Sequence, residues 1–142
     1  MSQPNYTRNY ETLMAVVTHL GVGKWALRQP RGIANDLSID EAEVRTVLRE
    51  FKGLFRESTK TSKDHGDHYY SLHLRHSRQA TDENKEIERA PLESEYLFPL
   101  LEFISKKSAQ ESQQSVAMKV ALLTACISLL ASAASLLVSL HK

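Results

Sequence analysis

The 21 residues from Val120 to Leu140 carry no formal charge. A helix rises about 1.5 Å per residue, and a bilayer core takes roughly 20 apolar residues to cross. The segment 119–142 is therefore expected to be a transmembrane anchor in contact with membrane lipid. Only His141 and Lys142 follow the apolar run. A span so placed is expected to insert after synthesis ends, as in tail-anchored proteins. Any catalytic, sensory or binding role is then expected in the residues that precede it.

The flanks suggest an orientation. Lys106, Lys107 and Lys119 lie before the span, and an excess of Lys and Arg marks the cytoplasmic side. The expectation is a single-pass protein of the cell membrane with a cytoplasmic N-terminal domain. The opening residues, MSQPNYTRNYE, lack the apolar core of a signal peptide. The sole cysteine, Cys126, lies inside the apolar run. No intrachain disulfide can form, which suits a reducing compartment.

The span also has an internal pattern. Ala121, Ala125, Ser128, Ser132, Ser135 and Ser139 recur at alternating spacings of 4 and 3, while Leu122, Leu129 and Leu136 repeat every seven residues. Small residues let helix backbones approach closely in lipid, and hydroxyls can bond across the contact. A period of 3.5 points to a left-handed bundle. The pattern predicts a homo-oligomer formed through the small face. Two alternatives stay open: a monomeric anchor rich in Ala and Ser, and a buried helix in a soluble oligomer.

Ahead of the span, the charge is divided. Residues 1–78 carry 12 Lys/Arg against 9 Asp/Glu, a net of +3, and residues 79–119 carry 5 against 8, a net of −3. A modestly basic head permits nucleic-acid contact without demanding it. In YETLMAVVTHL, Leu13, Val16, Val17 and Leu20 fall at i, i+3, i+4 and i+7, which predicts a helix ended by Gly21 and Gly23. A short strand is expected around Trp25, itself expected in the core. Pro30 opens a second helix running through Leu37, and Ser38 and Ile39 make a turn. Asp40 is a good N-cap, and Glu43 is placed to complete a capping box. Val44, Val47, Leu48 and Phe51 then predict a third helix over about 41–52. LFRES and HYYSLHLRH read as two strands around the polar tip TKTSKDHGD, with Tyr70, Leu72 and Leu74 alternating inward.

Helix, helix, turn, helix, strand, tip, strand is the element order of a winged helix. The stretch RGIANDLSIDEAEVRTVLREFKGLFRES resembles the winged helix-turn-helix superfamily, with Ile33, Ala34 and Leu37 on the second helix, Ile39 at the turn, and Val44 and Leu48 on the third. The resemblance covers residues 10–76. It implies a mainly α fold with a small β-wing, a recognition helix for the DNA major groove, and a wing touching the backbone. On that pose, Arg45, Arg49 and Lys52 of the third helix and Lys60 and Lys63 of the wing are the candidate nucleic-acid contacts. Arginine can pair bidentately with guanine, and lysine with phosphate. Asp40, Glu41 and Glu43 crowd the same helix N-terminus and would repel phosphate, which keeps a protein-docking role open.

Other chemistry is sparse. His65, His68, His73 and His76 gather near Asp64 and Asp67, but with His73 on a strand and no cysteine nearby they are read as wing residues rather than a metal site. No Gly-rich phosphate loop, HExxH or GxSxG occurs. Neither enzymatic activity nor a cofactor is expected. Residues 79–91 read as an acidic linker, and residues 92–118 as a helical stalk or a helix packed on the head. Pro99 suits the first turn of a helix running to 140. Two functions follow: a membrane-tethered, DNA-binding regulator, or a self-associating membrane effector of toxin or phage-defence type whose winged helix docks a partner protein.

Overall fold

The apolar spacing of the first helix has its counterpart in burial. In the computed structural model, Leu13, Val16, Val17 and Leu20 of α1 (Tyr10–Val22) are completely buried. They meet Ile33 and Ala34 of α2 (Pro30–Leu37) and Val44, Val47 and Leu48 of α3 (Glu41–Glu50). The structure describes residues 4–63, 66–78 and 89–140, with Arg78 and the segment 131–140 by backbone alone. It comprises two units, Met1–Ser108 and Ala109–Lys142.

In the first unit, the helices are followed by β1 (Phe55–Thr61) and β2 (His68–Leu72). The strands pair antiparallel, with Phe55 opposite Leu72, Arg56 opposite Ser71 and Glu57 opposite Tyr70, and the register shifts before Thr61 meets His68. The result is a helical head with a small wing-like sheet. The strand expected around Trp25 is reduced to one bridge, in which Arg28 and Tyr70 exchange both main-chain hydrogen bonds at 3.0 and 2.8 Å. Trp25 itself is 41% exposed, with the Lys24 ammonium 4.9 Å above its ring. It is a surface residue stabilised by a cation–π contact, not a core residue.

Several local expectations change for identifiable reasons. Gly21 does not end α1; it lies inside the helix, and Gly23 is the C-cap. A Cβ at Gly21 would stand 3.1 Å from Leu97 Cδ1, so this glycine allows another chain segment to approach closely. Asp40 caps α3 by accepting from the Ala42 N–H at 2.6 Å. The reciprocal half of the capping box is missing, because Glu43 instead accepts from the Thr12 hydroxyl at 3.2 Å. Ser38 takes the left-handed conformation between α2 and α3, with φ 54°.

The second strand stops at Leu72, and α4 (His73–Arg78) takes its place. Strand alternation would turn Leu74 inward and Arg75 outward. The helical turn buries Arg75 instead, at 1% exposure. Its guanidinium donates to four main-chain carbonyls: Leu20 and Gly23 at 2.8 Å each, Ala90 at 2.9 Å and Arg89 at 2.5 Å. Arg89 answers with a hydrogen bond from its own guanidinium to the His76 carbonyl. The Leu92 N–H donates to the Gly21 carbonyl at 2.8 Å. The chain thus returns onto the end of α1.

The last helix, α5, spans Ser94–Leu140 and starts before Pro99, which lies inside it. Leu97 and Ile104 enter the core of the head, so packing begins the helix earlier than proline chemistry suggests. Glu95 and Pro99 are both exposed, which leaves water free to satisfy the Glu95 carbonyl that proline cannot. Tyr6 packs edge-on against Phe51 and Phe103, with centroids at 4.9 and 6.1 Å. In the second unit, Val120, Leu122, Leu123, Ile127, Leu129 and Leu130 are all more than half exposed. This helix is long and apolar enough to cross a membrane. The Thr124 and Ser128 hydroxyls donate at 2.9 Å to the carbonyls of Val120 and Thr124. Such bonds satisfy the hydroxyls within the helix itself.

Replacing Arg75 with Met should destabilise the head by at least about 3 kcal/mol, because several buried carbonyls lose their donors together. Gly21→Val should cost about 1–3 kcal/mol by overpacking against Leu97. Urea titration of the full chain in detergent, followed by Trp25 fluorescence, measures both. Wild-type midpoints would show that neither contact supports the head.

Candidate functional site

The five basic residues expected to form one nucleic-acid surface do not share one environment. Arg45 is engaged within the head. Its Nη1 and Nη2 bond the Asp67 oxygens at 3.0 and 2.6 Å, and its Nε and Nη2 bond Glu41 Oε1 at 2.9 and 2.6 Å. These charge-assisted bonds hold its pKa above the usual arginine value, with the Asp67 bonds the largest cause. The two-pronged contact ties α3 to the turn at the tip of the wing. For Arg45 to read a base, it would first have to leave two carboxylates.

Arg49 is exposed near the C-terminal end of α3, as are Ala42 and Thr46 earlier on the helix; α3 ends at Glu50 rather than near 52, so exposed Lys52 lies in the turn that follows. Arg49 lies on the side facing the sheet, where it acts electrostatically on Tyr70. Burial raises the Tyr70 pKa first, and its hydrogen bond to Glu57 at 3.0 Å raises it further; Arg49 and Arg45 oppose both. His68 Nε2 approaches the other Glu57 oxygen at 3.6 Å, and its Nδ1 lies 3.0 Å from the Ser58 carbonyl. Tyr70, Glu57 and His68 thus make one polar cluster on the wing.

Lys60 and Lys63 line a different place. With Leu27, Thr59, Thr61, Ser62 and Tyr69 they bound an open concavity of about 730 Å³. Successive strand residues point to opposite faces, so Tyr69 faces away from the side that Tyr70 presents to α3. The wing candidates Lys60 and Lys63 therefore line a different place from the helix candidates Arg45 and Arg49. Tyr69, read from sequence as an ordinary strand residue, is half-buried at the wall of that concavity.

The remaining candidates are scattered. His73 and His76 belong to α4 rather than a strand, and His76 Nδ1 lies 3.5 Å from Arg56 Nη1. Asp64 and His65 lie outside the described residues, as do the side chains of Ser132, Ser135 and Ser139. Ala121, Ala125 and Ser128 are exposed on the second unit. Sequence reasoning missed the His19–Asp36–Arg28 cluster. Asp36 accepts from Arg28 and lies 3.4 Å from His19 Nε2. A second polar hollow, of about 600 Å³, has walls from Thr7, Arg8, Thr12, Glu43 and Thr46.

No family model matches this chain, and neither a curated protein nor a solved structure matches it.

Burial lowers the His19 pKa, with Arg28 adding to the effect and Asp36 opposing it. The folded state thus binds the proton less well than the unfolded state. The resulting stability is present above the unfolded value near 6.5 and is lost as pH falls through the folded value. His19→Gln should flatten that acid-side decline in urea midpoints between pH 7.5 and 5; an unchanged slope would assign the decline to other groups. A double-mutant cycle of Arg45→Ala and Asp67→Asn should give a coupling of roughly 1 kcal/mol, since the pair is partly exposed but two-pronged. Additive effects would mean that the wing is held to α3 by other contacts.

Proposed function

We propose that this protein is a membrane-tethered winged-helix regulator whose head binds duplex DNA. The observation that carries the reading is the Arg45 contact to Glu41 and Asp67, because it fixes the wing beside α3. A recognition helix and wing held in register before binding lose less conformational freedom on DNA. Exposed Arg49 on α3 and Lys52 in the turn after it are then the groove and phosphate contacts, and Lys60 and Lys63 on the wing are the outer backbone contacts. The long exposed apolar helix supports tethering, with the head on the cytoplasmic side by its lysine flank.

A specific observation favours a second reading. Asp40, Glu41 and Glu43 stand at the N-terminal turn of α3, where a recognition helix approaches phosphate. Beside them, the hollow with Thr7, Arg8, Thr12 and Thr46 presents both charges and several hydroxyls. Such a surface suits a protein partner. The head would then be the docking part of an effector whose spans self-associate through Ala121, Ala125, Ser128, Ser132, Ser135 and Ser139.

Two experiments separate these readings. Carbonate-washed membranes should retain the full chain, and its release would overturn the tether. Fluorescence anisotropy of the full chain in detergent with a 20-base-pair duplex should show salt-dependent binding. Arg49→Ala should weaken it by about 1–3 kcal/mol if Arg49 reads a base, and Lys52→Ala should lower the salt slope by about one unit. No duplex binding at low salt would reject the regulator and favour docking.

A further inference from the structure

The concavity on the far face of the wing combines features that the duplex reading does not use together. Two lysines, Lys60 and Lys63, supply positive charge at its rim. Thr59, Thr61 and Ser62 supply hydroxyls, and Tyr69 and Leu27 supply a half-buried aromatic ring and a buried apolar wall. The sheet fixes the location of these groups. Arg28 bridges Tyr70 through two main-chain hydrogen bonds, which brings the Leu27 segment beside the strand that carries Tyr69. The register shift between Glu57 and Thr61 lies in the strand that carries Thr59, Lys60 and Thr61. Beyond it, the turn is closed by Ser62 N–H donating to the Asp67 carbonyl at 2.8 Å and Gly66 N–H donating to the Ser62 carbonyl at 3.0 Å.

An aromatic face with an apolar neighbour accepts a flat ring by stacking, and lysines beside it accept phosphate. Hydroxyls add neutral donors and acceptors for sugar and phosphate oxygens. The volume of about 730 Å³ falls within the range of small-molecule and cofactor sites. A duplex keeps its bases stacked inside and offers no free base face to Tyr69. An unpaired nucleotide can use the ring and the lysines at once.

We propose that this wing concavity binds an unpaired, phosphate-bearing nucleotide, with its base on Tyr69 and its phosphate at Lys60 and Lys63. The site shares Lys60 and Lys63 with the proposed duplex surface, but its base contact at Tyr69 goes beyond that surface and does not depend on it. The nucleotide has two possible sources, a single-stranded nucleic acid or a free nucleotide, and they share the same chemistry.

The test uses the full chain in detergent with two probes, a fluorescein-labelled twelve-residue oligothymidylate and labelled thymidine monophosphate in equilibrium dialysis. Tyr69→Ala should weaken binding roughly ten-fold, the scale of one lost stacking contact. Tyr69→Phe, which keeps the ring, should bind like the parent, and this guards against a folding defect in the Ala variant. Lys63→Ala should reduce the log–log salt slope for the oligonucleotide by about 0.7. Arg49→Ala, on the α3 side, should leave both probes bound within two-fold while weakening duplex binding. Binding of the oligonucleotide alone supports a single strand as the source; binding of the monophosphate supports a free nucleotide. Failure of both probes to bind overturns the site, as does an equal loss from Arg49→Ala and Tyr69→Ala or a loss in Tyr69→Phe. Loss of duplex binding alone leaves this site standing and removes only the duplex reading.

Discussion

The head is organised around a positive charge that has no carboxylate partner among the described residues. Arg75 is buried, and desolvation pushes its pKa down from the usual arginine value. Four carbonyl dipoles replace the water it has lost. Two of them come from the end of α1, where unpaired helix carbonyls concentrate negative potential. The other two come from Arg89 and Ala90. A single guanidinium thereby ties the first helix, the end of the wing and the returning chain together. Leu92, Leu97 and Ile104 then add apolar cover to a core that the first three helices leave open on that side.

Arg45 does comparable work between α3 and the turn of the wing, in a wetter setting. Its contacts to Glu41 and Asp67 consume charge that helical spacing alone would assign to a ligand. The same contacts hold α3 and the wing in one arrangement. This changes how the basic residues should be counted. Arg49 lies on α3 and Lys52 in the turn after it, Lys60 and Lys63 line the wing concavity, and Arg45 holds α3 and the wing turn together.

Much of the head was legible from its sequence. The stripes of α1 and α3, the Pro30 start of α2, the Ser38 turn and the Asp40 cap all depend on residues within one or two turns of each other. The end of β2 was not legible, because a strand pattern continued through Leu74 while Arg75 had a stronger claim on the interior. Glu43 fitted a capping box by spacing, yet Thr12 of another helix offered it a donor. Gly21 looked like a stop signal and proved to be a gap for Leu97. The pairing of Arg45 was not legible for a similar reason: Asp67 is distant in sequence and adjacent in space.

The sequence by itself determined the helical stripes, the two-stranded wing and a terminal helix apolar and long enough for a bilayer. These follow from periodicity, capping chemistry and the absence of charge, which act over neighbouring residues. Tertiary structure alone decided that Arg75 is interior, that the residues after 90 return to α1, and that Tyr69 shares a concavity with Lys60 and Lys63. Those outcomes depend on which carbonyls and carboxylates meet across dozens of residues. Residue type sets how much a buried charge needs partners, but only the folded chain sets where the partners stand.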